Sequence, residues 1–393
     1  MSALVAHGRG RAWLEIDLDA LRHNVRVIRD AVGPTTAVAP VIKADAYGHG
    51  VDVVGPAIAA ESDAFCVATV DEAIALRHIV DRRVLVLYPV PGAAAAEVAA
   101  SGIEPTVMSE SDLEDLSDGL ASDTRAGLRP VLRLQLCVET GMGRGGLPVD
   151  RVAAVAAAIE ADRRLELAGI WTHAASPEDP DASGAQVSRF RAAVASMRAA
   201  GLPVPPRHFA ASGGIFAGHV PSLEMVRPGL AIYGVLGDEL TIPGHLSTAA
   251  AGLRPAMALK ARAVAISDIP EGGSVGYGGH WTAERPSRVA ILPVGYGDGY
   301  LRASQPGAEA LLRGRRLPLV GVISMDALAV DVTDVPGVGQ ADEFVLLGAQ
   351  AGDAITAVEL ARRRNTIAQE VLTSMARRLG RVYYPLAVPS IND

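Results

Sequence analysis

Apolar and polar residues alternate across 11–18 (RAWLEIDL), the period of a half-buried strand. The period then changes. Leu21, Val25, Ile28 and Val32 share one helical face, Asp17 or Asp19 can cap that helix, and Pro34 ends it. From there, short apolar runs alternate with stretches of helical period. The runs predict strands at 38–42, 64–68, 84–87, 104–107, 131–137, 166–171, 207–211 and 225–233. Helical stretches between most of them include 71–80, 109–116, 149–160 and 185–200. Eight strand–helix units over roughly 230 residues match the usual length of a (β/α)8 barrel, although periodicity alone does not distinguish it from an open doubly wound sheet.

After Pro255 the pattern becomes all-β. Strand-like segments lie at 256–266, 288–293, 319–322, 327–332 and 344–347, joined by glycine-rich turns (EGGSVGYGG, GYGDGY, EFVLLGAQAGD). One late helix is expected near 354–363 and another after Thr366. Tyr277, Tyr296 and Tyr300 fall in the loops, where a tyrosine is either surface decoration or reaches into another subunit's site. The predicted architecture is therefore an α/β N-terminal (β/α)8 TIM-like barrel, 17–250, followed by a C-terminal mainly-β domain of 251–393 plus 1–16.

Composition narrows the function classes. At 393 residues two domains are the natural expectation, and 49% hydrophobic content with mean hydropathy +0.24 supports a large core. Net charge is −8 and pI about 5.6 with no basic block, which argues against nucleic-acid binding. No signal-type apolar segment and no 18-residue uncharged apolar stretch occurs, so a cytoplasmic protein without a membrane partner is expected. Cys66 and Cys137 sit in apolar runs without metal-ligand spacing and read as reduced core thiols; no metal is expected.

Candidate chemistry concentrates at strand ends. Of 36 Lys+Arg only two are lysine, Lys43 and Lys260, leaving 36 − 2 = 34 arginines. Lys43 ends the first apolar run, in VIKADAYGHG. Arginine cannot shed its proton in a protein, whereas a partly desolvated lysine becomes a nucleophilic amine able to form a Schiff base with a carbonyl or with pyridoxal phosphate (PLP). A snorkelling lysine at a strand end is the structural alternative. Barrel enzymes place their chemistry at the C-terminal ends of strands. Arg144 (ETGMGRGG), His173 (GIWTHA), His208 and Ser212 (RHFAASGG) and Arg227 (RPGLAIYG) all fall near such ends. Gly141, Gly143 and Gly146 match G-x-G-x-x-G, but they sit mid-series with Arg144 in the loop, which speaks against a nicotinamide site.

Taken together, the motifs resemble the bacterial alanine racemase family of PLP enzymes, fold-type III. The resemblance runs from AWLEIDLDALRHN to RVYY and rests on VIKADAYGHG, TGMGR, Thr172–His173, VRPGLAIYG, SVGYG, PVGYGDGY and SMD in family order. It implies a barrel domain, a β domain and a homodimer whose sites draw on both chains. It also implies a small amino-acid substrate, most simply L- and D-alanine interconverted by a two-base mechanism. By motif, Lys43 matches the lysine that holds PLP and serves as one base. Tyr47 matches the tyrosine at the cofactor, and Tyr277 the opposing base from the other subunit. Arg144 matches the arginine that orients that tyrosine and the substrate carboxylate, and His173 its hydrogen-bonded histidine. Arg227 matches the arginine facing the pyridine nitrogen, with His208 behind it. Ser212, Gly229 and Leu230 match phosphate contacts. Met325 and Asp326 match the partner chain's substrate loop, and Tyr296 and Tyr300 the entry region.

Three positions depart from the family pattern. Ala211 replaces an asparagine before the phosphate serine. Cys137 replaces a lysine, often carbamylated, that orients the motif arginine. Gln369, in NTIAQE, replaces a tyrosine that contacts phosphate and walls the methyl pocket. These leave open a relative with altered substrate, such as serine, or a non-racemising PLP enzyme of a biosynthetic pathway. A non-catalytic PLP-binding protein would need Lys43 but no opposing base, and Tyr277 and Arg144 in their motifs count against it.

Overall fold

In the computed structural model, residues 10–122 and 131–385 are described, and they form two units. The first in the chain, Arg22–Ala46 with Val51–Leu253, carries a parallel eight-stranded sheet. Numbering all strands along the chain, with β1 at Ala12–Asp17, its members are β2 (Ala37–Val38), β3 (Ala64–Val67), β4 (Arg83–Val86), β5 (Ile103–Val107), β6 (Leu132–Cys137), β7 (Leu165–Trp171), β8 (Arg207–Ala211) and β9 (Met225–Arg227). They are ordered β2-β9-β8-β7-β6-β5-β4-β3.

The remaining gap closes just beyond β2. Val41 bridges Cys66, with the Ile42 N–H donating to Cys66 O and the Cys66 N–H to Pro40 O, both at 2.9 Å. Those bonds make the sheet a nearly closed barrel and set aside the open-sheet alternative. Phe65, Leu134, Ile170 and Phe209 are among its fully buried residues, each contributing about 1.5–3 kcal/mol of apolar burial. Helices pack outside, started by local chemistry. Asp17 caps Leu18–Val32 by accepting the Ala20 N–H at 2.8 Å, and Thr69 with Glu72 forms a capping box on Val70–Arg77.

Two predicted strands are shorter than their apolar runs. The 38–42 run keeps strand pairing only at β2 and at the Val41 bridge, because Pro40 has no N–H for the ladder. The 225–233 run splits: β9 ends at Arg227, Pro228–Gly229 breaks the ladder, and Leu230–Tyr233 is a 3-10 turn. A short apolar run cannot tell strand from buried helix by period alone.

The second unit comprises the described residues up to Leu21, Tyr47–Gly50, and those from Arg254. Its strands are β1, β10 (Met257–Arg262), β11 (Ala265–Ile269), β12 (Ser287–Leu292), β13 (Glu309–Leu312), β14 (Arg315–Val320), β15 (Leu328–Asp331), β16 (Glu343–Gln350), β17 (Asp353–Ile355) and β18 (Gly380–Tyr384). The order is β11-β12-β15-β14-β13-β16-β10-β1-β18, with β17 on β16. Strand β1 runs antiparallel to β10 and parallel to β18. The predicted 256–266 strand is thus two strands. The late helix is Ala357–Arg364, capped by Thr356, because residues 353–355 pair with β16 instead. No helix among the described residues is long and apolar enough to cross a membrane, and none of their His, Cys, Asp and Glu side chains cluster as a metal site.

Candidate active site

Lys43 follows β2 at the C-terminal rim of the barrel. The next residues, Ala44, Asp45, Ala46 and Tyr47, all adopt φ between 52° and 57°, a left-handed turn that L-residues disfavour. The turn is held from outside. Glu72 Oε1 accepts the Ala44 N–H at 2.7 Å, and Asp45 Oδ1 accepts the Val51 N–H at 2.9 Å. Desolvation by burial and the nearby Arg144 cation push the Lys43 pKa below its ordinary value, against the smaller pull of Glu72. The other lysine behaves oppositely. Lys260 pairs with Glu15 at 2.8 Å and Glu343 at 2.9 Å, and these bonds outweigh burial and raise its pKa.

Arg227 is buried at the end of β9. Its guanidinium donates to His208 Nδ1 at 2.5 Å and to Thr172 O at 2.8 Å, and it lies 3.5 Å from His173 Nδ1. Its Cζ sits 4.6 Å over the Trp171 ring, which stacks on His208 at 6.0 Å. Burial lowers Arg227 to about 10, still cationic at neutral pH. Burial, then the cations of Arg227, Arg144 and Lys43, push His173 down to about 3. Burial and Arg227 likewise keep His208 far below its ordinary value, so both imidazoles are neutral at pH 7.

Arg144 projects from an exposed loop whose backbone is tied down. Glu139 accepts N–H groups from Gly141, from Met142 at 2.7 Å and from Gly143 at 2.9 Å. Arg189 donates to Thr140 O at 2.6 Å, and Gln186 bridges Thr140 Oγ1 and His173 O at 2.9 Å each. Ser212 starts the helix Ser212–Ala217, and its Oγ accepts the N–H groups of Gly229 at 3.0 Å and Ala231 at 3.1 Å. This brings the hydroxyl beside the N–H-rich start of the Leu230–Tyr233 turn. Cys137 and Ala211 close β6 and β8, and burial raises the Cys137 thiol to about 12.

The other motif residues belong to the β unit. Tyr47 and its followers pack there. A Cβ on Gly48 would lie 2.5 Å from Leu372 O, and Arg381 donates to Gly48 O and Tyr383 to His49 O at 3.0 Å. Gly48 thereby lets the segment 47–50 pack closely on the helix Ala368–Thr373, which carries Gln369, half-buried. Tyr277 opens a 3-10 turn and is 77% exposed; Met325 is 53% and Tyr296 38% exposed. The Tyr296 N–H donates to Ser324 O at 3.0 Å and the Gly297 N–H to Met325 O at 2.9 Å, so the Tyr296 turn and the Met325–Asp326 loop are tied together. Tyr300 departs from expectation: it is fully buried, 5.3 Å from Arg364 Cζ, and part of this unit's core. Trp171 and Gln135, which contact Arg227 and His208, and Glu104 behind Gln135 were not among the residues singled out from the sequence. The only signal was polar residues inside apolar strands.

Residues 16–237 match the model of the alanine racemase N-terminal domain, and 256–383 that of the C-terminal domain. The chain belongs to the alanine racemase family. It is 37% identical over 376 residues to an alanine racemase of Desulfovibrio desulfuricans, covering 94% of this chain and 97% of that one. It is similar in structure to the alanine racemase of D-cycloserine-producing Streptomyces lavendulae, at TM-score 0.86 and 32% identity over 96% of this chain and 98% of the other. A second likeness is to alanine racemase from Streptomyces coelicolor, at TM-score 0.85 and 32% identity over 95% and 98%. The chain thus matches both domains of the family over nearly its whole length.

Proposed function

We propose that this chain is a PLP-dependent alanine racemase, with the cofactor on the barrel of 17–250 and the domain of 251–393 plus 1–16 completing the site of a second copy in a homodimer. The observation that carries the reading is Lys43 at the barrel rim, with a depressed pKa, beside a neutral His173 and a buried cationic Arg227.

The donor set fits PLP. Ser212 Oγ and the Leu230 N–H suit a phosphate, with the Gly229 N–H, which donates to Ser212 Oγ, holding that hydroxyl in place where two short turns begin. Tyr47 stands close in sequence, and Gln369 supplies an amide in place of a phenol. Arg227 can only donate, so it matches a pyridine nitrogen that is not protonated. PLP, when bound, supplies an electron sink for the charge that develops at the substrate Cα.

The protein supplies the protons. Lys43 Nζ removes or returns the proton on one face of Cα, and its lowered pKa makes the neutral amine easier to reach. Tyr277 Oη acts on the opposite face, contributed by the second copy. Arg144, with His173 beside it, orients that tyrosine and binds the substrate carboxylate. The Met325 N–H, Asp326 and Tyr296 line the substrate side. Because Arg227 keeps its own protons, it limits the sink and with it side reactions such as transamination.

The test is chiral analysis of purified protein with PLP and L- or D-alanine, beside a panel including serine. Equal final amounts of both alanine enantiomers from either start are expected. Absence of exchange at Cα by deuterium incorporation would overturn the reading. A broader substrate range is a second reading, favoured by Gln369 alone.

A further inference from the structure

The buried polar contacts behind Arg227 continue down the barrel. His208 Nε2 lies 2.9 Å from Gln135 Oε1. Gln135 Nε2 donates to Glu104 Oε2 at 2.6 Å. Glu104 accepts two bonds from Arg83, at 3.0 and 2.9 Å, and lies 3.3 Å from Arg133. His208, Gln135 and Glu104 are at most 1% exposed, while the arginine side chains are about 40% exposed at the N-terminal starts of β4 and β6. The column therefore runs from the C-terminal rim, where chemistry sits, to the opposite rim. Gly169 on β7 makes room for it: a Cβ there would lie 2.1 Å from Gln135 Oε1.

The donor–acceptor logic is one-way. A carboxylate only accepts, so Glu104 forces Gln135 to present its NH2 downward and its carbonyl upward. That carbonyl only accepts, so His208 must carry its proton on Nε2. Nδ1 is then a free acceptor, which Arg227, a pure donor, requires.

We propose that Glu104 is a positioning residue which, through Gln135, sets the His208 tautomer and so holds the Arg227 guanidinium toward the ligand. The inference deepens the PLP reading in its second half and is independent of it in the first. A structural role alone would ask only that the column be filled, and Gln at 104 would fill it. With Gln at 104, however, the amide can donate or accept, so Gln135 is free to flip. A flipped Gln135 favours the Nδ1–H imidazole, which confronts Arg227 donor to donor.

The experiment is 15N NMR of histidine-labelled protein, with His208 assigned by its loss in His208→Gln. The intact chain should show a single neutral Nε2–H form of His208. Glu104→Gln should add the Nδ1–H form and raise the PLP dissociation constant roughly tenfold, the loss of about one net hydrogen bond. Gln135→Leu, should Glu104→Gln not fold, should show the same two changes. An Nδ1–H form in the intact chain, or an unchanged tautomer and affinity in the variants, overturns the proposal. Failure of the intact chain to bind PLP would instead overturn the PLP reading while leaving the tautomer result standing.

Discussion

Arg378 holds Asp298 with two hydrogen bonds, 2.7 Å from Nε to Oδ1 and 3.0 Å from Nη2 to Oδ2. The same guanidinium donates to Asp326 Oδ1 at 2.8 Å and to Met325 O at 3.3 Å, while Asp298 accepts the Gly295 N–H at 2.9 Å. One cation thus ties the Tyr296 turn to the Met325–Asp326 loop. If the Met325–Asp326 loop binds substrate, Arg378→Leu should raise the KM for alanine on the order of fivefold with a smaller change in kcat, because the substitution loosens that loop and leaves Lys43 and Tyr277 in place. Steady-state kinetics in both directions measure this. A kcat loss at unchanged KM would contradict the assignment of that loop to substrate binding.

The two lysines make a sharper prediction. Lys260 is pinned as a cation between Glu15 and Glu343, whereas Lys43 is destabilised as a cation by burial and Arg144. A lowered pKa means Lys43 loses its proton at lower pH than Lys260, so it becomes nucleophilic first as pH rises. Borohydride reduction in the presence of PLP, followed by peptide mass spectrometry, should place the label on Lys43, with the visible absorbance lost. Lys43→Ala should lower kcat by at least about a thousandfold. Label on Lys260 would defeat the assignment.

Burial of two neutral histidines fixes the sign of an acid effect. His173 stays neutral in the folded chain down to about pH 3, and His208 also titrates well below its ordinary value. The unfolded chain takes up protons at both below about pH 6.5, so stability is full above that value and falls as pH drops, by at most about 1.4 kcal/mol per pH unit per histidine. Urea midpoints should therefore decline from pH 7.5 to 5, and His208→Gln should flatten the decline. A midpoint independent of pH in that window would exclude buried neutral histidines.

How much of this was legible follows from which residues carry unambiguous signals. Lys43 stood out because this chain writes almost every other cation as arginine, and Arg227 and His208 stood out as polar groups near strand ends. Gln135 and Glu104 did not. Each sits inside an apolar strand, and their meeting depends on the register between β5 and β6, which no local pattern encodes. RPGLAIYG read as one strand because its apolar run hides the Pro228–Gly229 break. β18 was missed because its tyrosines and arginine offer no clean alternation, and its pairing partner β1 lies more than 360 residues away in the chain. Tyr300 looked like its neighbour Tyr296, and only packing against Arg364 separates them.

Tyr277 supplies a test of assembly. It lies in the β unit and is 77% exposed, whereas Lys43 belongs to the barrel unit. If each site joins Lys43 of one chain to Tyr277 of a second copy, mixing inactive Lys43→Ala and Tyr277→Phe chains creates one intact site per heterodimer. Random exchange should then restore about a quarter of normal activity, since half the dimers are mixed and each has one of two sites. Subunit exchange is verified by native mass spectrometry of differently tagged chains. Exchange without recovery would mean that each site is built within one chain.

Gln369 bears on substrate choice. It lies half-buried on the helix Ala368–Thr373, whose Leu372 O packs against Gly48, the residue after Tyr47. A tyrosine at this position would offer a phenol to phosphate and a flat apolar wall to a methyl group. Glutamine has no ring and brings both an N–H donor and a carbonyl acceptor. If Gln369 lines the substrate pocket, a substrate hydroxyl finds a partner there that alanine cannot use, and one neutral hydrogen bond is worth about 0.5–1.5 kcal/mol net, or roughly twofold to tenfold in selectivity. Gln369→Tyr should therefore raise the alanine-to-serine ratio of kcat/KM by that factor, read from parallel progress curves with the two amino acids. If the ratio holds while only PLP affinity changes, Gln369 faces the phosphate alone, and the widened pocket is ruled out.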